Sequence, residues 1–281
     1  GSARDVELAA LGQRRSSGGM DVLVEESQRS EQPQPKYGIG FSLSDVSFYL
    51  PDGQCILQAI SLDIPAASTA AIMGPSGSGK STITNVLSGR AGYGNVVGDI
   101  AINGHTEFGV SALRALVGYV PQDDVMAGNL TCKEVVTFQA MLRLPAHLRP
   151  RGREVGEGSA WAAYAAQEVL DQMELREVSD SVIGDESKRG ISGGQRKRVS
   201  IAMELVARPS LLFLDEPTSG LDSTTSHRVV ELITKYAHSH DCTSLAVIHQ
   251  PRFQTLQLFD YAIFVASGGY LAYAGRTADL K

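Results

Sequence analysis

One stretch of this sequence has the residue types and the spacing needed to hold a chain of phosphates. Residues 74–81 read Gly-Pro-Ser-Gly-Ser-Gly-Lys-Ser, which fits G-x-x-x-x-G-K-[ST] at every fixed position. Glycines let the backbone turn tightly and bring a row of N–H groups within reach of phosphate oxygens. Lys80 would pair with the outer phosphates, and Ser81 would ligate a Mg²⁺ ion between them. The motif therefore predicts a nucleoside-triphosphate site.

The segments on both sides of this loop support the same prediction. Thr69 to Met73 is a short apolar run typical of a buried strand, and Thr82 to Ser88 continues as a helix whose positive end faces the phosphates. A Gly/Ser-rich loop with a chance lysine would lack this context. The predicted phosphate-binding residues are Gly74, Pro75, Ser76, Gly77, Ser78, Gly79, Lys80, Ser81 and Thr82.

Polar residues also follow other short apolar runs of the chain. In open α/β sheets, ligands bind outside the carboxyl ends of the strands. One such residue could be a coincidence, but with Lys80 of the phosphate loop four runs end in this way, and four predict a single site. The residues that end these runs are Gln122, Asp215 with Glu216, and His249.

Each of these polar residues has a chemical role that its type would suit. Asp215 is the expected partner of Ser81 and would hold Mg²⁺ directly or through water. Glu216 could orient and deprotonate an attacking water as a general base. Gln122 could reach the Mg²⁺ or the water through its amide, and His249 could hydrogen-bond the terminal phosphate. Taken singly, Asp215 and Glu216 could instead belong to a solvated turn that ends a strand. Gln122 could be an exposed loop residue, and His249 could be a structural histidine.

The stretch Ile191-Ser-Gly-Gly-Gln195 allows two interpretations. The spacing of Ser192 and Gln195 is that of a capping box, so the stretch could simply begin a helix from Arg196 to Val206. A plain cap, however, has no use for two successive glycines, which indicate that the backbone comes close to another group. The surrounding basic residues favour an anion such as phosphate, and they are Lys188, Arg189, Arg196, Lys197 and Arg198.

Length and composition bound the class of protein. The chain has 281 residues, of which 43% are hydrophobic, and its formal net charge is −6. This length allows one large domain or two modest ones. The acidic balance does not favour nucleic-acid binding, and no run approaches the roughly 18 to 20 apolar residues of a membrane helix. We therefore expect a globular protein that does not cross a membrane by itself.

Neither the start of the chain nor the cysteines show a pattern that predicts a catalytic or metal-binding role. Gly1-Ser2 resembles the remnant of a cleaved tag, and residues 1–36 predict a flexible lead-in before a folded domain that spans 37–281. The cysteines lack metal-ligand spacing. We expect them to be buried small hydrophobes in a reducing compartment; they are Cys55, Cys132 and Cys242.

Strands alternate with helices along the chain, which predicts an α/β domain with a mainly parallel sheet. Phe41 to Tyr49 and Ala59 to Ile64 read as antiparallel strands around a turn at residues 51–53. Residues from about Asp123 to Val206 read mainly as helix and predict an inserted subdomain, which Thr131 to Glu134 open with capping-box spacing. The other predicted strands are 98–103, 117–120, 210–214, 243–248, 261–265 and 270–273, and the other predicted helices are 160–173 and 224–237.

Taken in order, these residues resemble the nucleotide-binding domain of an ABC transporter, over about Phe41 to Lys281. The detailed sequence of four stretches is similar to the G (white–brown) subfamily; these are residues 118–124, 188–198, 215–223 and 248–251. The motifs that carry the resemblance are the phosphate loop Gly74 to Ser81, the Q-loop Gln122, the signature Ile191 to Gln195, the strand Leu211 to Glu216, the D-loop Ser219 to Asp222 and the switch His249.

The resemblance implies a fold, cofactors and a shared site. The fold would be a P-loop NTPase (RecA-like) core with an antiparallel β subdomain and an inserted α-helical subdomain, and the cofactors would be ATP and Mg²⁺. Two such domains would pair head to tail, with each ATP between the phosphate loop of one domain and the signature of the other. The residues that would contact ATP from the second domain are Ser192, Gly193, Gly194, Gln195 and Asp222.

The resemblance also implies a setting in a larger protein. We expect a soluble piece that ends just before the membrane helices of an exporter, at the cytoplasmic face of a membrane. Its partners would be a second nucleotide-binding domain, in a homodimer or a heterodimer, and the membrane domain, with no nucleic acid. The alternative is a soluble ABC ATPase that acts on ribosomes or nucleic acid. Such relatives usually carry two nucleotide domains in one chain or a long coiled coil, and neither is present here.

Two positions depart from the family pattern. Many ABC domains stack an aromatic residue on adenine, and the aligned position here is Leu50, with Tyr49 beside it. Base stacking is worth about 1–3 kcal/mol, so its loss would weaken ATP binding by roughly ten- to a hundredfold at most. Gln195 replaces the Glu that is common in the subfamily's signature.

Overall fold

A computed structural model of the protein describes residues 38–107, 109–150, 160–184 and 190–280. The strands are β1 (Phe41–Tyr49), β2 (Cys55–Ile64), β3 (Thr69–Met73), β4 (Asn95–Ile102), β5 (Val117–Val120), β6 (Leu211–Asp215), β7 (Thr243–Val247), β8 (Tyr261–Ala266) and β9 (Tyr270–Arg276). The α-helices are α1 (Lys80–Leu87), α2 (Cys132–Arg143), α3 (Ala160–Gln172), α4 (Gly193–Leu205), α5 (Ser223–Ser239) and α6 (Phe253–Leu256). Short 3₁₀ turns lie at Val110–Leu113, Ala146–Leu148, Arg176–Val178 and Thr277–Asp279.

These strands form one mixed sheet in the order β4-β1-β2-β9-β8-β3-β7-β6-β5. The strands β8, β3, β7, β6 and β5 are parallel to one another, whereas β4, β1 and β2 pair antiparallel and β9 pairs antiparallel with β8. The predicted α/β fold, with a parallel centre and an antiparallel flank, is confirmed.

Strand β3 shows why the centre of this sheet is apolar on both faces. All five of its residues are buried, and successive side chains point to opposite faces. Ala71 and Met73 join the core beneath α2 to α5, whereas Ala70 and Ile72 join the core beneath α1. A strand covered on both faces has no solvated side, which is why it reads as a continuous apolar run.

Among the described residues between β5 and β6, the α-helices are α2, α3 and α4. The first begins at the predicted capping box: Thr131 Oγ1 accepts from the Glu134 N–H, and the Glu134 carboxylate accepts from the Thr131 N–H. Such reciprocal bonds satisfy two N–H groups that the helix leaves free. Its buried face carries Val135, Val136 and Ala140, which pack into the same core as α3 and α4.

Some predicted boundaries are wrong. The wrong start predicted for β2 has an identifiable physical cause. The strand begins at Cys55 rather than Ala59. Ala59 has a positive φ of 46°, and the pairing register with β1 shifts between Val46 and Phe48. This irregularity reverses the inside–outside alternation that the sequence pattern follows.

Other predicted elements start too late. The helix at the phosphate loop begins at Lys80 rather than Thr82, and the helix at the signature begins at Gly193 rather than Arg196. The edge strand β4 starts at Asn95 rather than Gly98, and the sequence did not predict α6.

The remaining expectations concern the cysteines, the start of the chain and membrane-spanning helices. Cys132 and Cys242 are buried as predicted, whereas Cys55 is only partly covered. The prediction of a flexible lead-in concerns residues 1–36, which lie outside the described residues, as do Lys188 and Arg189. Within the described ranges, no helix combines the length and the apolar character needed to cross a bilayer.

Candidate functional site

Glycines with positive φ shape the loop between β3 and α1, and a side chain at either end of the loop would meet neighbouring atoms. A Cβ on Gly74 would lie 2.1 Å from Val265 O, and one on Gly79 would lie 2.7 Å from Leu57 Cδ2. Gly77 has a φ of 74°, and a Cβ there would meet nothing within 4 Å. The loop therefore rests on the protein at its two ends and is open at its middle, where a ligand could approach the backbone.

Lys80 and Ser78 are polar groups buried in this loop. Lys80 is 6% exposed, and its Nζ donates a 2.7 Å hydrogen bond to Pro75 O. Ser78 is 1% exposed, and its Oγ has no hydrogen-bond partner within the described residues. The first turn of α1 contains no acidic residue. An ammonium group, a hydroxyl without a partner and a helix whose first turn carries no acid of its own suit a polyanionic ligand.

The sheet brings the ends of its central strands side by side. Ile72 of β3 is the register partner of Val247 of β7, and Val247 is the partner of Asp215 of β6. Val120 of β5 pairs with Leu214 of β6 in the same direction. Since the four strands are parallel, the phosphate loop, the loop of Gln122, Glu216 and the segment of His249 all leave the same edge of the sheet.

Ser81 and Asp215 meet at this edge. Ser81 Oγ donates to Asp215 Oδ1 at 3.1 Å, and Tyr119 Oη approaches Asp215 Oδ2 at 3.4 Å. Burial, followed by the negative charge of Asp215, raises the pKa of Tyr119 to about 12, so the phenol remains a proton donor near neutral pH. The guanidinium of Arg90 lies 3.9 Å from the centroid of the Tyr119 ring.

Sequence reasoning missed Tyr119 and Arg90. Tyr119 lies inside an apolar run, and the pattern of this run predicts only a strand. Its position one residue after Gly118 gave no signal of a polar contact. Arg90 follows α1, and nothing in its neighbourhood marks it as a partner of an aromatic ring. Both contacts join residues that are far apart in the chain.

Glu216 and Gln250 follow β6 and β7 in an unusual backbone conformation. Glu216 has a φ of 48° and Gln250 a φ of 42°, a region that residues other than glycine rarely occupy. The N–H of Glu216 donates to Val247 O at 3.1 Å, which ties the turn to the neighbouring strand. His249 is exposed and lines a cavity of about 210 Å³ with Thr218 and other polar residues.

The signature stretch is a capping box in this chain. Ser192 Oγ accepts from the Gln195 N–H at 3.3 Å, and Gln195 Oε1 accepts from the Ser192 N–H at 2.9 Å. A Cβ on Gly194 would lie 2.5 Å from Thr225 Cγ2 of α5, whereas one on Gly193 would meet nothing within 4 Å. Gly194 is therefore required by helix packing, and only Gly193 is left open toward solvent.

Three basic residues near the signature serve the fold rather than a free anion site, contrary to the prediction. Arg196 Nη2 donates to Gly184 O at 2.9 Å, and Arg198 Nη1 donates to Met173 O at 3.0 Å. Lys197 is similarly engaged by the loop after β5. The three acceptor carbonyl groups lie in loops or just after a helix, so the three cations point into the chain.

Asp222 also acts within its own chain. Its Oδ2 accepts from the N–H groups of Thr224 and Thr225 and caps α5. Hydrogen bonds from the Thr225 side chain and main chain hold the pKa of Asp222 below its usual range.

A family model described as ABC transporter matches residues 57–219 of this chain. The chain belongs to the ABC transporter family. It is 39% identical over 226 residues to ABC transporter G family member 28 of Arabidopsis thaliana, a match that covers 80% of this chain and 19% of the relative. It is 40% identical over 224 residues to G family member 25 of the same plant, covering 80% and 32%. The chain thus spans between about a fifth and a third of these relatives.

Solved structures share the fold. CbiO1 from Clostridium perfringens, part of the ABC transporter complex cbiONQ, superposes with a TM-score of 0.69 at 22% identity, covering 85% of this chain and 89% of that one. A dimeric post-hydrolysis state of the ATP-binding cassette MJ0796, bound to ADP and Pi, gives a TM-score of 0.65 at 24% identity, covering 84% and 98%. The predicted resemblance is confirmed: this is the nucleotide-binding ATPase domain of an ABC transporter.

Proposed function

We propose that this domain hydrolyses Mg²⁺-ATP in a pair with a second nucleotide-binding domain and thereby drives export through a membrane domain. The observation that carries the proposal is the contact between Ser81 and Asp215 beside the phosphate loop. It places a hydroxyl and a carboxylate oxygen 3.1 Å apart at the start of α1, next to the buried ammonium of Lys80. The transporter names of the G family relatives support the transport setting.

Residues 74–82 would hold the triphosphate. The open middle of the loop at Gly77 lets backbone N–H groups approach the phosphates. Lys80 would exchange its bond to Pro75 O for bonds to the outer phosphate oxygens. Because this ammonium is already buried and close to the loop, binding would need only a short movement of its side chain.

Ser81 and Asp215 fit a magnesium ion, since Mg²⁺ prefers oxygen ligands and usually keeps several waters beside one or two protein groups and the phosphates. The described residues contain no group of three or more His, Cys, Asp or Glu side chains that could hold a metal by themselves. A site that shares its ligands with nucleotide and water fits this donor set. When bound, Mg²⁺ would neutralise charge that develops on the transferred phosphoryl group.

Glu216 would act as the general base. Its carboxylate would take a proton from the attacking water as the bond between the terminal phosphate and ADP breaks. The turn at Glu216 is fixed by the bond of its N–H to Val247 O, so the side chain leaves a defined point of the sheet edge. Gln122 and His249, which leave the same edge, would orient the water and the terminal phosphate.

Ser192 and Gly193 would face the ATP that is bound at the partner's phosphate loop. Both residues are exposed at the N-terminus of α4, where N–H groups attract anions. Gly194, Gln195 and Asp222 would support this surface by packing and capping. The pairing would close when ATP is present and reopen after hydrolysis, and the motion would be passed to membrane helices at the cytoplasmic face.

A direct experiment tests this function on the longer transporter that contains the domain. ATP-dependent accumulation of substrate in inside-out vesicles should accompany phosphate release, and both should stop in the Lys80→Ala variant. Phosphate release without any ATP-driven accumulation of a panel of lipids and drugs would favour an ATPase with another task. If the purified domain releases no phosphate at high concentration or as a tethered dimer, the hydrolytic part of the proposal is wrong.

A further inference from the structure

Lys197 is a buried lysine on α4, five residues after Ser192. Its side chain is only 3% exposed. The Nζ donates to Gln122 O at 2.8 Å and lies 2.7 Å from Asp124 Oδ1. A buried ammonium needs such partners, because an unpaired charge would be costly in the interior. Both partners lie in the loop that follows β5, so a single side chain joins the signature helix to the loop of Gln122.

A second anchor lies two helical turns further along α4. Glu204 is seven residues after Lys197, which places the two side chains on the same face of the helix. Its Oε2 accepts from the N–H of Tyr119 in β5 at 3.0 Å, and its carboxylate is bound by both terminal nitrogens of Arg143 at 2.7 and 2.9 Å. β5 is the edge strand of the sheet that the described residues form, and this carboxylate satisfies one of its N–H groups.

Glu204 and Lys197 hold different parts of this segment. Glu204 holds the strand itself at Tyr119, which would stay in place through the sheet in any case. Lys197 holds the main chain beyond the end of the strand, where no β ladder continues. The side chain of Gln122 is exposed, so the direction in which its amide points depends on the path of this main chain.

We propose that Lys197 is a positioning residue, which fixes the main chain of Gln122 and so directs the Gln122 amide toward the attacking water and the metal. The inference rests on the proposed function, because it needs Gln122 to act in hydrolysis. It also joins two motifs mechanically: a displacement of α4, whose first residues form the signature, would carry Gln122 with it.

The competing explanation is that Lys197 only stabilises the packing of α4. The two explanations differ in what the loss of Lys197 changes. A purely structural lysine would lower the stability of the whole domain and leave the turnover of the folded protein intact. A positioning lysine would loosen residues 122–126 locally and lower kcat, with little change in the KM for ATP, because Gln122 is not proposed to hold the triphosphate.

The experiment compares Lys197→Met with Lys235→Met, which removes an exposed lysine from α5. Hydrogen–deuterium exchange without nucleotide should be about tenfold faster at residues 122–126 in Lys197→Met, while Lys235→Met should match the wild type. In steady-state assays, Lys197→Met should lower kcat as strongly as Gln122→Ala does and change KM by no more than about threefold.

Asp124→Asn provides a milder variant in case Lys197→Met does not fold. It keeps the size of the side chain but removes its charge, so exchange at 122–126 should rise in the same direction. The double variant Lys197→Met/Asp124→Asn should exchange no faster than Lys197→Met, since both changes remove one interaction. Wild-type exchange at 122–126 in both single variants would overturn the inference.

The kinetic comparison separates this inference from the proposed function. If Gln122→Ala lowers kcat but Lys197→Met does not, the positioning role is wrong and the role of Gln122 stands. If Gln122→Ala turns over ATP like the wild type, the role proposed for Gln122 is wrong, and a positioning role for Lys197 is wrong with it.

Discussion

Ser81 Oγ donates a 3.1 Å hydrogen bond to Asp215 Oδ1, although the two residues are 134 positions apart in the chain. The parallel register accounts for their meeting, because Ile72 of β3 and Asp215 of β6 both pair with Val247 of β7. Ser81 is the second residue of the helix that follows β3, and Asp215 ends β6. A short central strand between them brings a helix N-terminus and a carboxylate to one point, as a magnesium site shared with phosphate requires.

We predict that Ser81→Ala and Asp215→Asn each raise the Mg²⁺ concentration needed for half-maximal phosphate release, by about ten- to a hundredfold. Each change removes one of the two oxygens that lie together. Ser111→Ala, at an exposed serine, is the matched control and should titrate like the wild type. Unchanged Mg²⁺ titrations in both site variants would contradict the proposed metal ligands.

We predict that Glu216→Gln keeps ATP binding and lowers turnover by about 10²–10⁴, the usual contribution of a general base. The amide has the same size and accepts the same backbone conformation, so the fold should be preserved. Phosphate release measures the loss, and nucleotide affinity measures what remains. Glu177→Gln, at an exposed glutamate, controls for the change of charge. Undiminished turnover in Glu216→Gln would remove Glu216 from this role.

The two glycines of the signature should respond differently to alanine. A Cβ at Gly194 would lie 2.5 Å from Thr225 Cγ2, whereas Gly193 faces open space. We predict that Gly194→Ala lowers the free energy of unfolding by about 1–3 kcal/mol, while Gly193→Ala changes it by less than about 1 kcal/mol. Denaturant unfolding monitored by circular dichroism measures both.

A compensating change checks the cause of that difference. Thr225→Ser removes the Cγ2 atom and keeps the hydroxyl that donates to Asp222 Oδ1. Adding Thr225→Ser to Gly194→Ala should therefore restore most of the lost stability. Equal unfolding free energies for the two alanine variants would show that the contact with Thr225 does not constrain Gly194.

The sequence predicted those parts of the site in which residue type and position along a strand decide the outcome. Asp215 was expected beside Ser81 because a carboxylate that ends an apolar run must lie at the edge of a parallel sheet. The helix caps at Thr131 and Ser192 were readable because their bonds join residues only three positions apart. Local rules suffice for such features, since both partners lie in the same short window.

The orientation of charged side chains could not be read in this way. Arg196, Lys197 and Arg198 form a basic run that favoured an anion, yet each reaches a carbonyl group of another segment. Those acceptors are 12 to 75 residues away along the chain, and no local pattern marks them. The contact of Glu204 with Tyr119 was missed for the same reason, since it spans 85 residues.

We predict weak discrimination between adenine and guanine. Leu50 lies in a turn closed by its bonds to Gly53 and Gln54 and offers no aromatic face for a base. GTP should compete with ATP within about tenfold, a gap of only about 1.4 kcal/mol, as measured by displacement of a fluorescent ATP analogue. A thousandfold preference for ATP, lost in Tyr49→Ala, would instead assign adenine recognition to Tyr49, which is 37% exposed.

The last prediction tests whether Ser192 serves the ATP of a partner domain or only its own helix. As a cap, Ser192 accepts from the Gln195 N–H, and losing that bond costs about 1 kcal/mol. Ser192→Arg should therefore fold, while its bulky cation blocks closure onto the partner's ATP and abolishes hydrolysis. Lys80→Ala should also be inactive, since it disables the phosphate loop of the same composite site.

A tethered dimer that joins one copy of each variant separates the two roles of Ser192. With a shared site, both lesions fall in one composite site and the other composite site is intact, so phosphate release should return to about half of the tethered wild type if the sites act independently. A tethered dimer with Lys80→Ala in both copies should stay inactive. A tethered dimer in which Glu216→Gln disables only one composite site gives the phosphate release expected from a single working site. If the Glu216→Gln dimer is active while the mixed dimer is not, Ser192 does not act on a partner's ATP. Full activity of Ser192→Arg alone would show that residues 191–195 are a helix cap only.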